Sequence, residues 1–175
     1  ENLGAVSRDA VNAQLSALSK PDREILARQG IRFGCAYVFM PALMKAAPIR
    51  LRGLLWIAGR RPSLAGVFPL LPPAGRVTFP VAVGAREDFM AACGYGVVSG
   101  NAYRLDMLER FAAIVRKLAR EKVKVLPPAH LSILGSSAES AVPVLKSLGF
   151  KARKVDTDLT FAPRNRRAHG HQTPQ

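Results

Sequence analysis

The stretch NAYRLDMLERFAAIVRKLAR, residues 101–120, carries the clearest structural signal in the chain. Its apolar residues recur at steps of three and four, which places them on one face of an α-helix. Asn101 precedes this pattern and is a favourable N-cap residue. The stretch therefore predicts a long helix with one side against a core and a basic side in solvent. The apolar positions are Leu105, Leu108, Ala112, Val115 and Ala119, and the basic ones are Arg104, Arg110, Arg116, Lys117 and Arg120.

A second helix is predicted downstream of this one. Ser136 with Glu139 has the spacing of a capping box, and the helix is expected to run to about Gly149. Pro143 conflicts with a start at Ser136, because proline deep in a helix removes a backbone hydrogen bond. A start nearer Ser140 removes that conflict.

A β-hairpin is predicted to follow this second helix. Two strand-like runs, 150–155 and 159–161, flank the polar turn Asp156-Thr157-Asp158. The order is then helix, turn, helix and hairpin, which fits a winged helix-turn-helix.

The N-terminal half predicts helices with one short strand. Ser19 has the chemistry of an N-cap between two short helices, and Gly30 suits the end of the second. Residues 31–40 are rich in β-branched and aromatic residues and predict a strand. Residues 42–61 predict a kinked or broken amphipathic helix, because Pro48 permits only a kink or a new first turn.

These elements predict an α+β, mainly helical fold divided into four segments. The first is a helical and strand-bearing half over 1–61. A connection over 62–84 follows, because five prolines between residues 62 and 80 disfavour long regular elements. Within it, residues 77–83 are compatible with an edge strand only. A helical region ending in the winged-helix-like element is expected over 85–163, and a mobile basic tail over 164–175.

The charge balance points to a polyanionic partner. The 175 residues include 26 Lys and Arg against 12 Asp and Glu, for a formal charge of +14 and a pI near 10.9. Such a field attracts RNA, DNA, anionic membranes and acidic proteins alike. Nucleic acid is the favoured partner. No apolar run reaches the roughly 20 residues that span a bilayer, so no membrane partner is expected.

The cysteines and the N-terminal residues indicate the cellular compartment of the protein and whether the chain is part of a longer one. Cys35 and Cys93 are too few and too far apart for a disulfide framework, which favours a reducing, cytoplasmic setting. Residues 1–7 lack the features of a signal peptide, and the chain opens with Glu1. Together these features predict a segment of a longer cytoplasmic protein.

The predicted nucleic-acid contacts lie on the long helix and on the winged element. Basic residues clustered on adjacent elements favour phosphate contact, although charge that serves only solubility remains the alternative. The predicted contact residues are Arg104, Arg110, Lys117, Lys146, Lys151, Arg153 and Lys154.

Motifs for catalysis or cofactor binding are missing from the sequence. No P-loop string occurs, and Gly94, Gly96 and Gly100 miss the dinucleotide spacing by one residue. His130, His169 and His171 lack the partners that a metal site requires. The carboxylates of Asp106 and Glu109 are flanked by Arg104 and Arg110, which predicts ion pairs rather than acid–base catalysis. No catalytic residue, cofactor or metal is therefore predicted in this chain.

Several short blocks between residues 15 and 155 form a recognisable series. They are Arg23, Gly30-Ile31-Arg32-Phe33-Gly34, Pro41-Ala42-Leu43 with Lys45, Leu54-Leu55-Trp56, Gly94-Tyr95, Arg104-Leu105-Asp106 with Leu108-Glu109-Arg110, and Leu148-Gly149-Phe150. In this order the blocks resemble the C-terminal region of bacterial superfamily 2 DExH RNA helicases similar to the mitochondrial degradosome RNA helicase. The chain departs from that pattern at Gly96, where a basic residue is expected, and at Phe150, where tyrosine is commoner.

The resemblance implies a parent protein that unwinds structured RNA at the expense of ATP. Its ATP and magnesium would bind to paired RecA-like domains upstream, and this chain would hold or guide the nucleic acid. Two alternatives stay open. One is a protein-docking module that ties the helicase to a nuclease or the ribosome through the apolar face around Leu54, Leu55 and Trp56. The other is a free-standing enzyme, for which the sequence offers no convergent set of titratable groups.

Overall fold

A computed structural model describes residues 4–164 of the chain. Over this range the fold is α+β and about half helical. The α-helices are α1 (Asn12–Ala17), α2 (Lys20–Arg28), α3 (Ala46–Arg60), α4 (Glu87–Ala92), α5 (Leu105–Arg120) and α6 (Ala138–Ser147). Shorter 3-10 helices span Asp9–Val11, Pro41–Met44, Arg61–Leu64 and Pro128–Ile133. The strands are β1 (Ala5–Ser7), β2 (Arg32–Phe33), β3 (Tyr37–Phe39), β4 (Thr78–Pro80), β5 (Tyr95–Val98), β6 (Asn101–Arg104), β7 (Val125–Leu126), β8 (Phe150–Val155) and β9 (Asp158–Pro163).

The strands form three small antiparallel sheets with one shared topology. The orders are β1-β3-β2, β4-β6-β5 and β7-β9-β8, so the last strand of each group lies in the middle. Helical segments separate the first strand of each group from the hairpin formed by the other two. We call these groups unit 1 (residues 5–39), unit 2 (46–104, beginning with α3) and unit 3 (105–163, beginning with α5).

Unit 3 has the element order predicted for a winged helix-turn-helix. Its first helix is α5, the 3-10 helix Pro128–Ile133 takes the second helical position, and α6 precedes the hairpin β8–β9. The strand, helix and hairpin order also occurs in units 1 and 2. The fold therefore repeats a strand, helix and hairpin order three times, whereas the sequence interpretation predicts a winged-helix-like element only in the C-terminal half.

A glycine with positive φ joins helix to hairpin in every unit. Gly30, Gly94 and Gly149 have φ values of 88°, 81° and 90°. Each follows the C-cap of α2, α4 or α6 and precedes an outer strand of its sheet. Glycine is favoured there because a side chain would strain a left-handed backbone.

Two hydrophobic clusters form the core. The first joins units 1 and 3, with Phe39 of β3 in the same cluster as Phe111 of α5 and Phe161 of β9. The second belongs to unit 2, where Trp56 and Phe89 meet edge to face at 5.1 Å between ring centroids. Residues on both sides of the 62–84 connection, and buried Leu64 within it, contribute to this second cluster.

The N-terminal half follows the predicted order with three differences, of which the first is strand β1, which was not predicted. Ser19 caps α2 in a complete capping box, as expected. The single strand predicted over 31–40 is instead the hairpin β2–β3, whose turn is formed by residues 34–36. Residues 46–60 form one helix, and Pro48 lies in its first turn, where its missing N–H costs no intrahelical bond.

The C-terminal helices begin at different residues from those predicted. Asn101 does not cap α5, because residues 101–104 pair as strand β6 and the helix begins at Leu105. Neither Ser136 nor Ser140 is the start of α6. Ser137 caps that helix by accepting a hydrogen bond from the Ser140 N–H, which leaves Pro143 inside it.

Thr78–Pro80 forms an edge strand, as predicted. No helix within residues 4–164 has both the length and the apolar character needed to cross a membrane. Of the basic tail predicted over 164–175, all but Arg164 lies outside the described residues.

Candidate nucleic-acid interface

The hairpin of unit 3 presents two basic side chains on one exposed face. Strands β8 and β9 pair over six positions, from Phe150 opposite Pro163 to Val155 opposite Asp158. Side chains alternate between the two faces of a strand. Phe150 points into the core, so Lys151 and Arg153 share the opposite face, and both are exposed.

Lys154 lies on the other face of the hairpin, although it is adjacent to Arg153 in sequence. It forms an ion pair with Glu139 in the first turn of α6. The ammonium group of Lys154 lowers the pKa of the Glu139 carboxyl, through a hydrogen bond and through its charge. Arg153 and Lys154, both predicted to contact nucleic acid, therefore lie on opposite faces of the hairpin. The charge of Lys154 is offset by Glu139.

Strand β9 places no charged residue opposite Lys151 or Arg153. Their cross-strand neighbours are Ala162 and Thr160, which carry no charge. The Thr160 hydroxyl donates a hydrogen bond of 3.1 Å to the Arg153 carbonyl and fixes the backbone there. Within residues 4–164, no carboxylate forms an ion pair with Lys151 or Arg153.

Helix α5 carries a second basic group along its solvent side. Arg110, Lys117 and Arg120 are exposed, and their spacing of seven and three residues places them along one helical stripe. Lys117 lies 3.9 Å from Glu121, a loose and exposed pair that contributes little. These cations remain available to a ligand.

Arg104 differs from the other predicted contact residues. Its guanidinium binds Asp106 through two hydrogen bonds of 2.7 and 3.1 Å, and its side chain is 16% exposed. The hydrogen bond that Arg104 donates to the Asp106 carboxylate raises the pKa of Arg104. Arg104 thus fixes the junction between β6 and α5, as the expectation of ion pairing near Asp106 implied.

The structure brings together some predicted residues and separates others. Lys151 and Arg153 share a face, and Arg110 shares a stripe with Lys117. Lys146 is exposed on a different element, α6. No hydrogen bond or ion pair between described side chains joins the α5 stripe to the hairpin.

The hairpins of units 1 and 2 offer a different chemistry. The unit 2 hairpin has no charged residue between Tyr95 and Tyr103. The turn of the unit 1 hairpin is occupied by Glu109 of α5, which accepts hydrogen bonds from the backbone N–H groups of Cys35, Ala36 and Tyr37. The Ala36 and Tyr37 bonds are each 2.7 Å long. The unit 1 hairpin carries one exposed cation, Arg32, whereas the unit 3 hairpin carries two on one face, Lys151 and Arg153.

Glu109 is the residue whose role the sequence interpretation missed. An ion pair with a flanking arginine was expected for Glu109. Instead its side chain lies between units 1 and 3 and is 5% exposed. Burial raises the pKa of the Glu109 carboxyl, whereas the Ala36 and Tyr37 N–H groups and the charge of Arg8 lower it. The available signal was its position four residues after Leu105, on the apolar face of α5.

The residues considered for catalysis, for a cofactor or for a membrane contact lie in the core or in regular elements. Cys93 is fully buried, and desolvation raises its thiol pKa to about 11, so it is protonated at neutral pH. Gly96 lies within β5. Trp56 is 5% exposed, with the guanidinium groups of Arg60 and Arg86 stacked over its ring at 4.5 and 5.1 Å. No group of three or more potential metal ligands occurs in the described part of the chain, which excludes His169 and His171.

Comparison of the chain with protein-family models, with curated proteins and with solved structures finds no match.

Proposed function

We propose that this chain is an accessory nucleic-acid-binding region of an ATP-dependent RNA helicase whose motor domains lie outside it. Its task is to hold or guide RNA while the motor works. The resemblance of its sequence blocks to the C-terminal region of DExH RNA helicases motivates the helicase assignment. The charge of +14 and the basic surface of unit 3 support the nucleic-acid part.

The observation that carries the proposal is the exposed face of the unit 3 hairpin. Lys151 and Arg153 lie two positions apart on the same face of β8, and both are exposed among the described residues. Strand positions two apart lie roughly 7 Å from each other, similar to the spacing of successive phosphates on a nucleic-acid strand. Two cations at this spacing suit contact with a phosphodiester backbone rather than with base edges.

The α5 stripe supplies further backbone contacts in this proposal. Arg110, Lys117 and Arg120 extend over about ten residues of helix, or roughly 15 Å. Backbone contacts of this kind carry little sequence information. The chain is therefore expected to bind single-stranded RNA of mixed sequence with similar affinities.

The test is the salt dependence of binding to a single-stranded RNA oligonucleotide, measured by fluorescence anisotropy. Each phosphate contact on a single strand contributes about 0.7 to the slope of log affinity against log salt, because bound cations displace condensed counterions. The double variant Lys151→Ala/Arg153→Ala should therefore lower the slope by about 1.4. Sequence preference should stay the same.

A matched control removes the same charge elsewhere. Lys45 and Arg50 are exposed near the start of α3, and Lys45→Ala/Arg50→Ala should change the slope by less than about 0.5. Equal losses from both double variants would mean that diffuse charge, rather than a site, binds the RNA.

The helicase assignment has its own tests. An upstream reading frame that encodes a P-loop and a DExH-type box supports it, and a frame that starts near Glu1 contradicts it. The chain by itself should bind no ATP in calorimetry, because no P-loop is present in its sequence.

A further inference from the structure

Helix α3 is apolar on two opposite sides, and the chain covers one of them. Ile49, Gly53 and Trp56 face the core of unit 2 and are buried. On the other side Leu51, Leu54 and Leu55 are 57%, 45% and 51% exposed. A helix that is apolar all round is normally buried on all sides.

The exposed side forms a continuous stripe. We call it the α3 outer face and define it by Leu51, Leu54, Leu55 and Ala58. These positions follow the spacing i, i+3, i+4 and i+7, by which one helix packs along another. Ala47, one turn earlier, extends the stripe and is exposed as well. Single exposed leucines are ordinary, but a stripe of three is typical of a contact surface.

The segment of sequence that contains α3 is basic. Residues 25–86 contain no Asp or Glu. The nine cations in that range are Arg28, Arg32, Lys45, Arg50, Arg52, Arg60, Arg61, Arg76 and Arg86. Two of them border the outer face, since Arg50 lies one turn before Leu54 and Arg61 lies three residues after Ala58, and both are exposed.

We propose that the α3 outer face docks an amphipathic helix of a partner protein, whose apolar stripe is flanked by acidic residues. The leucines supply the apolar contact, and Arg50 and Arg61 select acidic flanks by charge complementarity. This docking site is independent of the nucleic-acid face of unit 3.

Two other occupants fit the observations less well. A symmetric contact with a second copy of the chain would bring the basic residues beside the two outer faces together, and each copy carries a charge of +14. A membrane surface binds helices that combine leucine with Trp or Phe on the inserted side. The aromatic residue of α3, Trp56, is buried on the opposite side.

The probe is a synthetic amphipathic helical peptide of about 20 residues, with leucines on one face and glutamates beside them. A second peptide replaces the glutamates with lysines. The full chain should bind the glutamate peptide at least about tenfold more tightly than the lysine peptide, in calorimetry at moderate salt. Leu51→Ser/Leu54→Ser should weaken glutamate-peptide binding by at least about tenfold, because it removes two apolar anchors.

The control variant is Ile25→Ser, which removes an apolar side chain of matching exposure, 56%, from α2. It should leave peptide affinity unchanged. The leucines are exposed, so circular dichroism and thermal unfolding of the double variant should match the wild type. The milder Leu54→Ala variant, with a smaller loss of affinity, provides a second reading if the double variant unfolds.

Equal affinity for both peptides, or unchanged affinity in both leucine variants, would overturn the proposal. So would self-association in sedimentation that Leu51→Ser/Leu54→Ser abolishes, because the occupant would then be a second copy. Binding to phosphatidylserine vesicles that the same variant abolishes would instead assign the face to a membrane.

Discussion

At the residue scale, one buried carboxylate connects two parts of the chain that are distant in sequence. Glu109 extends from α5 into the turn of the unit 1 hairpin and accepts three backbone N–H bonds there. The same turn is held from the other side, where Arg8 donates a 2.8 Å hydrogen bond to the Gly34 carbonyl. The Glu109 side chain also leaves no room beside Gly34, where an added Cβ would lie 2.5 Å from its carboxylate carbon.

Replacing Glu109 with Ala should lower the free energy of unfolding by about 3 kcal/mol, because three backbone donors lose a charged acceptor. Urea unfolding followed by circular dichroism measures the change. Glu121→Ala is the control, since Glu121 is the exposed C-cap residue of α5 and should matter by less than about 0.5 kcal/mol. Similar losses for both variants would contradict the role given to Glu109.

At the element scale, the helix-to-hairpin glycines have the same backbone geometry in different surroundings. An added Cβ at Gly149 would meet nothing within 4 Å. At Gly94 it would lie 2.5 Å from Nη2 of Arg52 and 2.8 Å from the sulfur of Met44. Arg52 is itself 6% exposed and fixed by a 2.9 Å bond from its Nε to the Ala92 carbonyl, so it has little freedom to move.

These surroundings predict different costs for the same substitution. Gly149→Ala should cost about 1 kcal/mol, from backbone strain alone. Gly94→Ala should cost at least about 3 kcal/mol, because steric overlap adds to that strain. Thermal or urea unfolding of the two variants measures the difference, and equal costs would mean that Arg52 and Met44 move aside freely.

Much of the element order was predictable from local sequence, but the repetition of units was not. The capping box at Ser19, the long amphipathic α5 and the hairpin around Asp156 all have strong local signals. The units share little more than a glycine followed by a short strand, as Gly30-Ile31-Arg32-Phe33, Gly94-Tyr95-Gly96-Val97 and Gly149-Phe150-Lys151-Ala152 show. The helix before that glycine spans nine residues in α2, six in α4 and ten in α6, so no fixed period marks the units.

The candidate site was predictable only where it depends on local sequence. Strand alternation places Lys151 and Arg153 together once the hairpin is recognised. The pairing of Lys154 with Glu139 depends on how α6 packs on β8, and that long-range contact leaves no local pattern in the sequence. The role of Glu109 likewise depends on contact between units 1 and 3.

At the scale of the whole molecule, the two hydrophobic clusters are joined by neighbouring residues of one strand. In β6, Ala102 belongs to the unit 2 cluster and Tyr103 to the cluster of units 1 and 3. Arg52 adds a polar link, because its Nε and Nη1 donate to carbonyls of Ala92 and Leu43 at 2.9 and 3.4 Å. The units are therefore expected to unfold together.

The single tryptophan, Trp56, tests this expectation because it reports on the unit 2 cluster alone. Urea unfolding followed by its fluorescence should coincide with unfolding followed by far-ultraviolet circular dichroism, which reports on all helices. A fluorescence transition separate from the circular dichroism transition would show that unit 2 unfolds independently.

The most direct test of the central claim is to map the RNA-binding surface by backbone NMR. Single-stranded RNA is titrated into the isotopically labelled chain, and amide shifts are followed residue by residue. We expect the largest shifts in β8 around Lys151 and Arg153, with a second group along the Arg110 side of α5. Shifts concentrated in unit 2, which includes α3, with β8 unaffected, would contradict an RNA-binding surface on the unit 3 hairpin.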